Sequence, residues 1–71
     1  MTAVRPDLPM GRGQIRELGE VMFSTWLNAP GVSLAARARE HCQDEGWQRP
    51  TDDEIVAAYE MFEIIQRRER V

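Results

Sequence analysis

The chain has no lysine, and all nine of its basic residues are arginine. Arginine offers a planar fork for carboxylates, phosphates and aromatic faces where lysine offers a flexible point charge. The bland reading, codon usage in a GC-rich genome, accounts for the bias and says little about function. A single cysteine, Cys42, excludes an internal disulfide, and the expectation is an intracellular, cytoplasmic protein. The single histidine, His41, stands beside that cysteine, so a closed four-ligand zinc site has too few donors of these types. No apolar run approaches the roughly 20 residues that cross a bilayer, and the first residues lack the apolar stretch of a signal peptide. No membrane association is therefore expected. Glycine-rich phosphate loops, paired-carboxylate clefts, internal repeats and low-complexity tracts are also missing.

What is present is one small domain. Seventy-one residues with 42% hydrophobic and 30% charged side chains are neither disordered by composition nor membrane-like. A chain of this size buries only about 60% of the surface its unfolded form exposes. Such chains often gain stability by self-association or by docking on a partner. The net charge of -3 is unevenly spread. Arg5, Arg12 and Arg16 make the first sixteen residues net positive, and everything after them is net negative.

The expected fold is all-α, a small three-helix domain behind a flexible N-terminal arm. Residues 1–12 hold Pro6, Pro9 and Gly11, show no helical or strand period, and read as a flexible basic arm. The domain occupies 13–71, with helices over about 13–28, 34–45 and 51–69. In the first, Ile15, Leu18, Met22, Trp26 and Ala29 fall on one stripe that predicts the buried face. Pro30-Gly31 ends it. Ser33 is a good N-cap for the second helix, and Gly46 a good terminator. The inner face of that helix is lean: Leu34, Ala35, Ala38, His41 and Cys42.

The third helix carries the clearest local signal. Thr51-Asp52-Asp53-Glu54 spells a capping box, with Pro50 and Ile55 placed for a hydrophobic staple. Ile55, Ala58, Tyr59, Phe62 and Ile65 make its expected core face. Its apolar residues exceed that stripe: Ala57 and Ile64 lie nearly opposite, Met61 joins the two sets, and Val56 stands apart. A helix apolar on more than one side is buried all round or meets a second surface.

Functional expectations follow from that excess. The leading one is a non-enzymatic helical protein–protein interaction module, an accessory regulator or inhibitor acting as a homodimer or on a larger protein. Its contact residues are Val56, Ala57, Met61 and Ile64, with Phe23, Leu27 and Trp47 as secondary candidates. Trp47 has two readings, a plug for the open end of the core or an exposed anchor. The alternative is a DNA-binding regulator, because residues 23–34 loosely resemble a helix-turn-helix turning at Gly31-Val32-Ser33. On that reading Ser33, Arg37 and Arg39 face a groove while Arg5, Arg12 and Arg16 add basic contacts from the arm and first turn. The sequence departs from the pattern at Leu27, Pro30, Arg37 and Glu40. A catalytic dyad of His41 and Cys42 is disfavoured by their adjacent helical positions, and no catalytic residue, metal or cofactor is expected.

Overall fold

The computed structural model describes residues 10–69. Three helices fill most of that range: α1 (Arg12–Asn28), α2 (Leu34–Asp44) and α3 (Asp52–Glu69). Among the described residues there is no strand. No described helix is long and apolar enough to cross a membrane.

Local chemistry sets each helix end. At the start of α1 the Gln14 side chain reaches back to accept the Gly11 N–H at 3.0 Å. Ser33 caps α2, its Oγ accepting the Ala36 N–H at 3.2 Å. At the other end of α2, Gly46 adopts φ 74°, a left-handed conformation that costs glycine little. There the Trp47 N–H donates to the Cys42 carbonyl at 2.8 Å and the Gly46 N–H to that of Gln43 at 3.1 Å. This is the paired bonding of a Schellman motif, and it folds Trp47 back onto the helix. The capping box of α3 forms as expected: the Glu54 N–H donates to Thr51 Oγ1 at 3.1 Å, and Glu54 Oε1 accepts the Thr51 N–H at 2.7 Å. Pro50 and Ile55 beside it are both buried, as a staple requires.

α1 is the central element and packs against both other helices, more extensively on α3. Successive contacts pair Met10 with Glu54, Gly19 with Met61 and Trp26 with Phe62, so α1 and α3 run in the same general sense. α2 returns along α1 and brings His41 to Glu17. The core comprises Met10, Leu18, Met22, Ala38, Cys42, Ile55, Ala58 and Phe62, with Ile15, Phe23, Leu34, Ala35 and Trp47 packed around it.

One glycine governs the α1–α3 approach. A Cβ on Gly19 would lie 2.6 Å from Met61 Cγ, 2.8 Å from its Cβ and 3.1 Å from the Phe62 backbone nitrogen. Any side chain there would force the helices or Met61 to move.

Three expectations need correction. Met10, assigned to the arm, is buried in the core, and its N–H donates to Glu54 Oε2 at 3.0 Å. An apolar side chain with a buried carboxylate ready for its backbone has reason to dock. Residues 1–9, on which the rest of the arm expectation falls, lie outside the described residues. Trp26, expected in the core, is 39% exposed. The inward line of α1 runs through Leu18, Met22 and Thr25, so the indole sits one step round the helix with Phe62 against it. Tyr59 is likewise exposed at the edge of α3, where it meets Phe62 edge-on.

Candidate functional site

Two regions of the molecule bear on function: an apolar seam between α1 and α3, and a polar cluster between α1 and α2.

The seam begins where Gly19 meets Met61. Helical spacing extends the Gly19 row through Phe23 to Leu27, and the Met61 row back to Ala57 and on to Ile64. Because α1 and α3 run in the same sense, the two rows flank one groove. Leu27 is 57% exposed and Ile64 43% exposed. Ala57, Met61 and Phe23 are half-buried. Met61 therefore divides its side chain between the Gly19 contact and the surface, and Phe23 packs against the core. Along the same helix pair the rings of Phe23, Trp26, Phe62 and Tyr59 form a chain with centroid separations of 5.8 to 6.5 Å. Contacts of this kind prefer tilted and edge-to-face geometry, as found here. Val56, 55% exposed, stands about 80° round α3 from Ile64 and does not join the seam.

The polar cluster was not evident in the sequence. His41 Nε2 lies 2.7 Å from Glu17 Oε2 across the α1–α2 interface. Glu45, one turn after His41, brings a carboxylate oxygen to the same place: the three donor atoms all lie within 4.8 Å of one another. Trp47, turned back by Gly46, packs its indole against the imidazole in a T-shaped arrangement, centroids 5.4 Å apart and planes at 86°. Trp47 is thus half-buried and packed on the core, as a plug is. Its other surroundings line a shallow depression of about 580 Å³ that Arg39, Gln43 and Arg49 also border. Glu17 could have been found only by knowing the interhelical register. Glu45 and His41 do stand at i, i+4, a spacing that places two donors on one helix face.

Cys42 faces the other way and is buried in the core. Burial pushes its thiol above the ordinary thiol range, and the nearby Glu54 carboxylate adds to the effect. A thiol held protonated is a poor nucleophile. His41 and Cys42 are sequence neighbours whose side chains serve different interfaces, so the structure does not assemble a dyad from them.

The residues of the DNA-binding reading are dispersed or engaged. Ser33 Oγ is occupied as the α2 cap. Arg37 pairs with Glu40 at 3.2 Å, Arg39 with Asp52 at 3.8 Å and Arg16 with Glu20 at 3.5 Å. Exposed pairs like these are worth about 0–1 kcal/mol, so they hold little of the fold, but each places a carboxylate beside a cation that phosphate would need. Arg12 is exposed in the first turn of α1, and Arg5 lies outside the described residues.

No family model matches the chain, and neither the curated proteins nor the solved structures provide a match.

Proposed function

We propose that this chain is a non-enzymatic helical interaction module, an accessory regulator acting through the α1–α3 seam on a second copy of itself or on a larger protein. The observation that carries the reading is the exposure of Trp26, Leu27 and Ile64 on one helix pair, with Phe23, Ala57 and Met61 half-buried between them. Rims and floors of this composition suit the buried centre of a protein interface, where aromatic residues and methionine are enriched and charge is depleted. The Gly19–Met61 approach supports it by keeping the two helices close. Trp47 and Val56 are secondary to this surface, since one packs inward and the other faces away from the seam.

Ile64→Arg tests the reading, because the exposed position tolerates a long cation without disturbing the core. Association with the second copy or the partner is expected to fall, while helix content by circular dichroism and the thermal midpoint change little. A wild-type chain that is monomeric, and whose partner binding ignores Ile64→Arg, overturns it. Duplex-DNA binding that weakens steeply with salt supports the DNA-binding alternative instead.

A further inference from the structure

We infer that Glu17, His41 and Glu45 form a binding site for a divalent transition-metal ion of the zinc class. The donor set is one imidazole nitrogen and two carboxylate oxygens, drawn from two helices and gathered within 4.8 Å. Such donors suit Zn²⁺ and its neighbours, which take nitrogen and oxygen ligands at about 2.0–2.2 Å. Ligands at those distances around a tetrahedral ion stand about 3.3 Å apart. His41 and Glu17 already approach more closely than that, at 2.7 Å. An ion entering between them needs the Glu17 carboxylate to draw back slightly and Glu45 to swing inward. Glu45 is exposed and sits at the end of α2, where it can make that movement.

Charge favours the same occupant. Two carboxylates gathered beside an imidazole nitrogen concentrate negative charge where a dication would sit. His41 is held in place by more than its ligand neighbours: the Trp47 indole packs against its ring in a T-shaped arrangement, so the imidazole is oriented before an ion arrives. Three protein ligands leave at least one position of a tetrahedral ion open to water or to a donor from a partner. Binding would tie α1 to the end of α2, and so add stability to a chain with a small core.

The experiment uses the full chain stripped with a chelator and titrated with Zn²⁺ in a calorimeter at neutral pH. The signals of its one histidine are followed by NMR in parallel. One ion per chain is expected, with the His41 imidazole resonances shifting at the same stoichiometry and the thermal midpoint rising. Glu45→Gln, at an exposed position, should leave the metal-free midpoint unchanged and weaken Zn²⁺ binding by about tenfold or more. Glu17→Gln should weaken binding similarly, and Ile64→Arg should leave it intact. The inference is overturned by the absence of saturable binding, or by binding that leaves the His41 signals in place. Indifference to Glu45→Gln overturns it equally, since Glu45 would then be no ligand and the three-residue site would not exist.

Discussion

The carboxylate of Glu54 joins Met10 to the start of α3: one oxygen accepts the Met10 N–H at 3.0 Å while the other closes the capping box on Thr51 at 2.7 Å. Glu54 is fully buried, yet both its oxygens are satisfied by backbone donors at a helix N-terminus. There the helix dipole also favours negative charge. One side chain thus fixes where α3 begins and ties it to the residue that leads into α1.

Glu54→Ala removes both acceptors and leaves the Met10 and Thr51 N–H groups without that partner. The unmade bond to the buried Met10 N–H costs about 1–3 kcal/mol, and loss of the cap at Thr51 and of packing volume adds to this. The thermal midpoint is expected to fall by about 4–8 °C for each kcal/mol lost in a domain of this size. Amide hydrogen exchange at Met10 should accelerate in the same variant. A midpoint within a degree or so of wild type, with Met10 still protected, contradicts this role.

Gly19→Ala separates local propensity from packing. Alanine is favoured over glycine in a helix interior by about 1 kcal/mol, so propensity alone predicts stabilisation. The Cβ would, however, stand 2.6 Å and 2.8 Å from two Met61 carbons, and overpacking typically costs about 1–3 kcal/mol. Net destabilisation by denaturant titration is expected, relieved in part by Gly19→Ala combined with Met61→Ala. A stabilised single variant shows that α1 and α3 have room between them.

Gly46→Ala is expected to cost about 1 kcal/mol or more, because the left-handed conformation at φ 74° penalises a Cβ although the space around it is open. The displaced Trp47 should also change its fluorescence emission. An unchanged denaturation midpoint would show that another conformation serves equally well.

Cys42 should resist thiol reagents at neutral pH until the chain opens, so its labelling rate should track unfolding rather than reagent access. The same burial sets a pH dependence. With the folded thiol held above its ordinary range, its contribution to stability is fully present below the unfolded pKa. It is lost as pH rises through the folded value, because the unfolded chain releases the proton first. Metal-free wild type should therefore weaken on the alkaline side more steeply than Cys42→Ala. Rapid stoichiometric labelling of the native chain contradicts this placement.

The helices and their ends were legible because their signals are local. Ser33 and the Thr51–Glu54 box act within a few residues, and each forms where expected, with Pro50 and Ile55 buried beside the box. Gly46 likewise ends α2. The misplaced residues depend on partners far along the chain. Met10 is buried because Glu54, 44 positions later, offers an acceptor. Trp26 and Tyr59 are exposed because the inward lines run through Leu18, Met22 and Thr25 on α1 and through Ile55, Ala58 and Phe62 on α3. Which of several apolar positions faces inward is set by the packing of the helices. The Glu17–His41–Glu45 cluster needed the register of α1 on α2, and neither glutamate is distinguishable in sequence from an ordinary solvated one.

The central claim is that the α1–α3 seam is a contact surface, and sedimentation equilibrium of the full chain over a broad concentration series tests its self-association form most directly. Wild type is expected to shift reversibly from monomer to dimer, with little change at raised salt because the contact is apolar, while Ile64→Arg remains monomeric and helical. A wild-type chain that stays monomeric throughout, or an Ile64→Arg chain that associates as wild type does, contradicts self-association through this seam.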